Sequence, residues 1–438
     1  MKRLGRSPLP AVAAILFALA AAGCGLDADG GAGSGEAPRP FEGHSITLVT
    51  GSHPWADVIK PLLPRFEAET GMSVRVQSFF EDQLTQKLTV QFTSGSETPD
   101  VFMYRPLQEG KLFYRNGWLQ PLDGYAGREA DYDLSDFTPQ SLRSSTVDGV
   151  LTGIPIITEQ GILYYRKDLL REAGIPVPRT LEELADAAGK LHRPEKGVYG
   201  FVARGQRSPL VTQVSSFLYS EGGDFTSGSR ATINTPEAVK AFTMYGSLLR
   251  DYGPPGAIHM SWPQASSFFA EGRAALYTDA NSIYKMTSDP ARSEAADQVG
   301  YAAFPAGSKG SRPYNITSWG LAVNAKSADK EAAWAFIEWA TGKTTMLQSQ
   351  RQGIPSPRSS LWNTREGTAG FPAQLAEVFK RSLTGGVDHD RPTTVNVAEA
   401  REPVGEIVQK VMTGETDIQK TADAANAALQ AILDKEAE

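Results

Sequence analysis

Short apolar segments alternate with amphipathic helical segments near the start of the chain, and this order leaves few folds open. The pattern predicts, in chain order, a strand at 46–49, a helix at 58–66, a strand at 74–76, a helix at 84–92 and a strand at 100–104. Pro61 and Pro64 predict that the first helix is irregular. Because strands that alternate with helices pair in parallel, we expect an α/β fold.

The loops after the first and third strands are candidate binding loops, because ligands bind beyond the carboxyl ends of parallel strands. His53 and Trp55 lie in the first of these loops, and Tyr104 lies at the end of the third strand. An aromatic ring at such a place can pack on the apolar C–H face of a ligand. Alternatively, Trp55 covers the edge of the core, and Tyr104 is a core residue whose hydroxyl is satisfied internally.

The N-terminus has the pattern of an export signal. A cationic start precedes the apolar run 11–22, which is too short to span a bilayer. Residues 19–24 (LAAAGC) resemble a bacterial lipobox and end in Cys24, the only cysteine of the chain. We therefore expect a signal peptide at 1–23, acylation of Cys24 by a fatty acid such as palmitate, and a flexible tether at 24–40. The alternative is an ordinary secretory signal with a chance cysteine.

Composition and motifs restrict the function classes further. The 438 residues allow two or three domains, and a net charge of −7 argues against a nucleic-acid partner. An exported glycoside hydrolase is one alternative function, with acid pairs such as Glu81 with Asp82 or Asp131 with Asp133. Such runs are usually solvated, and neither Gly-x-Ser-x-Gly nor His-Glu-x-x-His occurs. The five histidines are scattered, so we expect neither a metal nor a cofactor. A lipoprotein that only scaffolds other surface proteins is a third alternative.

The rest of the chain continues the mixture of strands and helices. We predict a strand at 162–165, a capping box at 180–183, and helices that begin near 236, 327 and 418. Eight pieces then stand in a characteristic order: 66–71 (FEAETG), 98–101 (TPDV), 148–155 (DGVLTGIP), 163–169 (LYYRKDL), 268–276 (FFAEGRAAL), 304–307 (FPAG), 319–323 (WGLAV) and 330–336 (KEAAWAF). In this order they resemble the extracellular solute-binding proteins of carbohydrate ABC transporters, the family that includes maltose-binding proteins.

The resemblance implies the two-lobed fold of periplasmic binding proteins, in which discontinuous α/β lobes are joined by three hinge crossings. The crossings are expected near 157–160, 317–320 and 353–357. Lobe 1 would then comprise 41–157 and 319–352, and lobe 2 would comprise 158–318 and 356–438.

The resemblance also implies a function. A protein of this family captures a sugar or polyol in the cleft between its lobes and delivers it to an ABC importer without turnover. The implied partners are permease subunits and a separate ATPase, and the implied form is a monomer. With the N-terminal lipid, the protein would be held on the extracytoplasmic face of the cell membrane.

Site residues carry over from the family one by one. Glu159 matches a hinge-strand glutamate whose carboxylate accepts sugar hydroxyls, although it could instead be a solvated hinge carboxylate. Asp279 and Asn281 stand where the maltose branch carries a tryptophan, so a maltodextrin specificity does not carry over. The other residues expected near the ligand are Arg204 and Gln206, in a polar loop, and Trp262 and Trp319, as stacking aromatics.

Overall fold

The computed structural model describes residues 39–128, 130–383 and 385–437. The predicted signal peptide, Cys24 and the tether up to residue 38 lie outside the described residues. Phe41 packs on a hydrophobic core, and its backbone N–H donates to the Thr70 carbonyl at 2.9 Å. Residue 41, the predicted start of the folded part, is therefore packed in the described structure. In the described part of the chain, no helix is long and apolar enough to cross a membrane.

Strands and helices alternate along the described chain. The strands are β1 (Ser45–Gly51), β2 (Ser73–Phe79), β3 (Val101–Tyr104), β4 (Thr146–Val147), β5 (Val150–Leu151), β6 (Ile154–Arg166), β7 (Tyr199–Val202), β8 (Thr226–Ser227), β9 (Arg230–Ala231), β10 (Ala274–Ala280), β11 (Val299–Ala303) and β12 (Asn315–Val323). The helices are α1 (Pro54–Ile59), α2 (Leu63–Thr70), α3 (Glu81–Thr93), α4 (Lys111–Arg115), α5 (Asp123–Ala126), α6 (Pro139–Ser144), α7 (Lys167–Ala173), α8 (Leu181–Leu191), α9 (Arg207–Glu221), α10 (Pro236–Tyr252), α11 (Trp262–Ala270), α12 (Lys285–Ser288), α13 (Lys330–Thr341), α14 (Lys343–Arg351), α15 (Arg365–Thr368), α16 (Ala373–Ser382), α17 (Val397–Met412) and α18 (Ile418–Ala437). A short 3-10 turn (Lys60–Leu62) separates α1 from α2, as Pro61 and Pro64 predict.

The first sheet confirms the predicted parallel arrangement. β1 lies between β2 and β3 and is parallel to both, with Leu48 opposite Val76 on one side and Val101 on the other. β12 extends this sheet antiparallel to β3. Leu84 and Leu88 of α3 are buried in the core on this sheet, at the spacing that an amphipathic helix requires.

Two helix starts differ from the prediction. Thr180 caps α8 by accepting a hydrogen bond from the Glu183 N–H at 3.1 Å, as expected. The Glu183 carboxylate, however, accepts from the Arg179 N–H and not from that of Thr180, so the capping box is incomplete. α13 begins at Lys330 and not near 327, because the Asp329 carboxylate supplies the oxygen that caps its first turn.

One long strand joins two sheets. β6 has 13 residues, and its first half pairs antiparallel with β12 in the first sheet. Its second half lies between β10 and β11, both antiparallel to it, and β7 completes this second sheet parallel to β10. The strand that was predicted at 162–165 is therefore the end of a much longer one. Its first half was not predicted because 154–161 includes Pro155, Glu159 and Gly161, which interrupt a simple strand pattern.

The hydrophobic residues form separate cores on the two sheets. The first core contains Ile157 and Trp319, whereas Ile162 and Ile316 belong to cores on the second sheet. The chain therefore leaves one core for the other within β6 and again within β12. These changes occur close to two of the predicted crossings. The lobe boundaries themselves stay a prediction, because membership of a core does not define where a hinge bends.

Candidate ligand-binding site

Strand ends from both sheets meet the shared strands β6 and β12 where the predicted site residues lie. His53 follows β1, and Arg204 follows β7 by two positions. Asp279 is near the end of β10. Glu159 lies in β6 opposite Ile316 of β12. His53 and Arg204 thus lie beyond the carboxyl ends of strands, whereas Glu159 and Asp279 lie within strands.

Three side chains form what we call the Trp319 cluster: His53, Arg105 and Trp319. The His53 and Trp319 ring centroids are 5.9 Å apart, and the Arg105 guanidinium lies 5.7 Å from the centre of the Trp319 ring. Burial lowers the pKa of His53 to about 4, so this ring is neutral at physiological pH. The His53 Nδ1 atom accepts from the Trp55 N–H at 3.1 Å, which fixes the ring at the start of α1. An indole with a neutral imidazole and a guanidinium beside it offers both an apolar face and hydrogen-bond donors.

Arg105 was not among the predicted site residues. Glu109 holds it: the Glu109 carboxylate accepts from the Arg105 Nε at 3.0 Å and from the Arg105 backbone N–H at 2.8 Å. The sequence carried a signal for this residue, because it lies in the 104–106 loop after the third strand. Within that loop the sequence favours Tyr104, because an aromatic ring can pack on the C–H face of a sugar.

Asp279 is the centre of a second group, the Asp279 cluster, which consists of Arg204, Gln213, Tyr277, Asp279 and Tyr314. Asp279 is 0% exposed, and its carboxylate accepts from the Arg204 guanidinium, the Gln213 amide at 2.9 Å, the Tyr277 hydroxyl at 2.8 Å and the Ala280 N–H at 2.7 Å. Burial opposes the charge on Arg204, but the attraction of Asp279 outweighs it and raises the pKa of Arg204 above its ordinary value. The cluster therefore consists of the Arg204–Asp279 ion pair, with the neutral side chains of the other three residues around it.

Glu159 and Asn281 are joined through their chain neighbours, because Glu159 contacts Ser282 and Asn281 contacts Gln160. The Glu159 Oε1 atom accepts from the Ser282 hydroxyl at 2.6 Å. Burial raises the pKa of Glu159, and the Ser282 hydrogen bond offsets only part of this effect. The Asn281 Oδ1 atom accepts from the Gln160 N–H at 3.0 Å, and among the described residues its Nδ2 atom has no hydrogen-bond partner. Asn281 therefore offers a spare donor, and Glu159 offers an acceptor.

Like Trp319, the predicted site residues Trp55 and Tyr104 belong to the first core, but they lie outside both clusters. Trp55 is 1% exposed and packs among core residues at the start of α1. Tyr104 is equally buried, its hydroxyl lies 3.2 Å from the Thr152 hydroxyl, and burial raises its pKa well above the ordinary value. The structure thus does not bring these two side chains into either cluster, and their predicted contact with a ligand stays a prediction.

Trp262 and Gln206 lie on the second-sheet side. The Gln206 backbone N–H donates to the Met260 carbonyl at 3.0 Å, which ties the loop after Arg204 to the chain just before α11. Trp262 is half-buried at the first position of that helix. Both residues are thus near the Asp279 cluster along connected backbone, without a described side-chain contact to it. In the described residues, no three His, Cys, Asp or Glu side chains are arranged to hold a metal ion.

Two α/β units that share strands, with buried polar side chains at their junction, define the class of two-lobed solute-binding proteins. Comparison with known sequences agrees with this class. The sequence profile of the bacterial extracellular solute-binding proteins matches residues 54–346. The chain belongs to this family.

Individual relatives of the chain include proteins that bind sugar alcohols. The mannitol-binding protein of Pseudomonas aeruginosa is 31% identical over 324 residues, which are 72% of each protein. The erythritol/L-threitol-binding protein of Mycolicibacterium smegmatis is 27% identical over 352 residues, 74% of this chain and 73% of that protein. An ABC transporter solute-binding protein of Agrobacterium radiobacter, solved in complex with ribitol, superposes with a TM-score of 0.78 at 31% identity. The superposition covers 90% of this chain and 99% of that one.

Proposed function

We propose that this protein captures a neutral, hydroxyl-rich solute between its lobes, in particular a linear polyol, and delivers it to an ABC importer. The observation that carries the proposal is the similarity to a ribitol-bound solute-binding protein over 90% of the chain at 31% identity. The two sequence relatives described above are named for mannitol and for erythritol and L-threitol, which are also linear sugar alcohols. An uncharged polyol is thus the ligand class that fits the known relatives.

The chemistry of the site supports the same class. A hydroxyl group both donates and accepts hydrogen bonds, so a polyol needs donors and acceptors close together. Glu159 supplies an acceptor, Asn281 supplies a donor, and the indole of Trp319 supplies an apolar face for C–H groups. The charge of Arg204 is neutralised within the protein by Asp279 and therefore does not call for an anionic ligand.

Titration against a panel of solutes tests this function. With D-mannitol, ribitol, erythritol and maltose as probes, calorimetry should show one or more polyols binding with a dissociation constant on the order of micromolar, about −8 kcal/mol. Because the family consists of binding proteins, the bound polyol should be recovered unchanged after long incubation. Release of a product, or no binding by any polyol, would contradict the proposal.

We further propose that lobe 1 is 41–157 with 319–352 and that lobe 2 is 158–318 with 356–438. The closed, monomeric form would deliver the ligand to a permease, which acts together with a separate ATPase. The location of Glu159 on β6 supports these boundaries, because a strand that runs through two sheets can bend between them without breaking either core.

Attachment through Cys24 completes the proposal. Residues 19–24 support it, since small residues precede a lone cysteine after an apolar run. Cys24→Ala should abolish acylation and the mature lipoprotein form, whereas the binding of polyols should be unchanged. Mass spectrometry of the mature N-terminus decides the matter: a mature chain that begins elsewhere without a lipid would contradict the anchor.

A further inference from the structure

Gln213 of α9 is a buried residue of the Asp279 cluster that no sequence motif singles out. It is 1% exposed, and its amide Nε2 atom donates to the Asp279 Oδ1 at 2.9 Å and lies 3.1 Å from the Tyr314 hydroxyl. Among the described residues, its Oε1 atom has no hydrogen-bond partner. A buried acceptor without a partner is unfavourable, so this atom requires an explanation.

The orientation of the Gln213 amide is determined by its neighbour. An ionised carboxylate such as that of Asp279 only accepts hydrogen bonds, so the group that faces it must be the NH₂ of Gln213. Rotating the amide by half a turn would place Oε1 against a carboxylate oxygen and would remove one donor from a buried charge. The unpartnered atom is therefore the carbonyl oxygen, held in one direction by Asp279.

Asp279 itself has little capacity left for a ligand. A carboxylate has about four lone-pair positions, and those of Asp279 accept two hydrogen bonds from Arg204 and one each from Gln213, Tyr277 and the Ala280 N–H. A ligand hydroxyl would have to displace one of these internal donors. Asp279 thus acts as a positioning residue, and the acceptor that it orients is the Gln213 carbonyl.

The position of Gln213 is also suitable for contact with a ligand. Tyr314, which lies beside its amide, packs within 3.2 Å of where a Cβ on Gly161 would be, two residues after Glu159. In the pairing of β10 with β6, Asp279 lies opposite Ile162 and Ala280 lies opposite Gly161, so the cluster adjoins the part of β6 that follows Glu159. Through Asp279, Gln213 is therefore held against the stretch of β6 that follows Glu159, the residue that the family resemblance assigns to the ligand.

We propose that Gln213 is a specificity-determining residue, whose Oε1 atom accepts a hydrogen bond from one hydroxyl of the bound polyol. The inference rests on the proposed function. A fixed acceptor at this position selects a ligand that carries a hydroxyl there and disfavours one that carries a second acceptor, such as a ketone or a carboxylate.

A ligand-by-variant cycle tests this role. D-Mannitol is symmetric, so its 1-, 2- and 3-deoxy analogues remove each distinct hydroxyl in turn. The affinities of all four compounds are measured by calorimetry for the wild-type protein and for Gln213→Met, which keeps the length of the side chain and removes the amide. We expect Gln213→Met to bind D-mannitol about tenfold more weakly. One deoxy analogue should lose affinity in the wild type and lose none further in the variant, because the partner of the missing hydroxyl is already absent.

Gln350→Met is the matched control. Gln350 is also fully buried, donates through its amide to the Gly367 carbonyl and leaves Oε1 without a described partner, but it lies in α14, away from both clusters. Its substitution should lower the melting temperature about as much as Gln213→Met and leave every polyol affinity unchanged.

The outcomes separate the inference from the proposed function. If the wild type binds D-mannitol or ribitol and the deoxy penalties are the same in Gln213→Met, the polyol function stands and the role of Gln213 is refuted. If ribitol is the tighter ligand, the same cycle uses 3-deoxyribitol and both enantiomers of 1- and 2-deoxyribitol, because the two ends of this meso polyol are distinct to a protein. If the wild type binds no polyol at all, the proposed function fails and the inference fails with it.

Discussion

The two carboxylates of the site differ at the residue scale in what surrounds them. Asp279 is surrounded by donors and forms an ion pair with Arg204. Glu159 has a single described side-chain donor, Ser282, and burial raises its pKa. A carboxyl group whose pKa is raised on folding destabilises the protein once it is ionised, because folding favours its protonated form. Glu159 therefore costs stability at neutral pH, which is consistent with a role in binding.

Glu159→Gln should separate binding from stability. We expect polyol affinity to fall by at least about tenfold, since a hydrogen bond to a charged group contributes about 1.5 to 3 kcal/mol. The free energy of unfolding at pH 7 should stay the same or rise. This gain in the free energy of unfolding should vanish below the unfolded-state pKa, at about pH 4, because the carboxyl group is then protonated in the folded and the unfolded protein. Calorimetry and urea unfolding measure the two quantities.

Glu172→Gln is the control for this prediction, because Glu172 is an exposed carboxylate of α7. It should change neither quantity. Unchanged affinity in Glu159→Gln would instead support the alternative of a solvated hinge carboxylate.

The contribution of His389 to the stability of the protein should depend on pH. Burial favours its neutral form, but the hydrogen bonds to Asp224 at 3.0 Å and to Asp388 at 3.1 Å outweigh this and raise its pKa to about 9. A histidine whose pKa rises on folding stabilises the protein fully below its unfolded-state pKa, about 6.5, and this contribution is lost as the pH rises to about 9. The stability of the protein therefore includes a part that depends on the charge of this ring.

His389→Asn should lower the free energy of unfolding on the order of 2 kcal/mol at pH 6, and the difference should shrink to near zero by about pH 9.5. Urea unfolding of both proteins at intervals from pH 5.5 to 10 measures this. A difference that does not change with pH would mean that His389 is neutral in the folded protein.

At the scale of elements, the packing of β6 against α9 depends on a residue without a side chain. A Cβ on Gly161 would lie 2.6 Å from the Ser216 Oγ and 3.2 Å from the Tyr314 ring. The Ser216 Oγ in turn accepts from the Tyr314 N–H at 3.2 Å. Strand and helix therefore approach closely at the point where β6 passes from one sheet to the other, directly after Glu159 and Gln160.

Gly161→Ala should lower the free energy of unfolding by about 1 to 3 kcal/mol, the usual cost of overpacking. In the Ser216→Ala background the loss should be smaller by about 1 kcal/mol, because the nearest clashing atom is gone. Gly124→Ala serves as the control, since a Cβ on Gly124 meets nothing within 4 Å. Strictly additive effects of the Gly161 and Ser216 substitutions would contradict this account of the packing.

For the whole molecule, the chain after α16 makes several contacts with the part before β6. Arg143 Nε donates to the Asp388 carboxylate at 2.6 Å, and Arg391 Nη1 donates to the Gln108 Oε1 at 2.7 Å. The Lys111 ammonium donates to the Thr393 carbonyl at 3.1 Å. Under the proposed boundaries these contacts join the two lobes. They should therefore form or strengthen when a ligand draws the lobes together.

Small-angle scattering should show a smaller radius of gyration with D-mannitol or another bound polyol than without it. Lys111→Met and Arg143→Met should each weaken polyol binding by about twofold to fivefold, the range for exposed polar pairs. Lys190→Met is the control, because Lys190 pairs with Asp186 inside a single helix, α8. A radius of gyration that does not change with saturating ligand would refute the closure and the hinge.

The amino-acid pattern was enough to predict many of the helices and strands and to indicate the family. Apolar spacing predicted the parallel units of the first sheet, because burying one face of a helix or strand leaves a period that can be read along the chain. The ordered motifs indicated the solute-binding family. The loop after the first strand led to the prediction of His53, and the family resemblance led to that of Glu159 and Asp279. These predictions depend on neighbours that lie close in the chain.

The side-chain contacts between distant residues, and the buried atoms without a hydrogen-bond partner, could be identified from the three-dimensional structure alone. Arg204 meets Asp279 across 75 positions, and Gln213 meets Asp279 across 66. Neither pairing leaves a periodic signal in the sequence. The sequence around Gln213 also gives no sign that this glutamine is buried beside Asp279. The same holds for Trp55 and Tyr104, whose sequence positions suit a binding loop while their rings point into the core. Spacing along the chain specifies which face a residue lies on, but hydrogen-bond saturation depends on every group that packs around it.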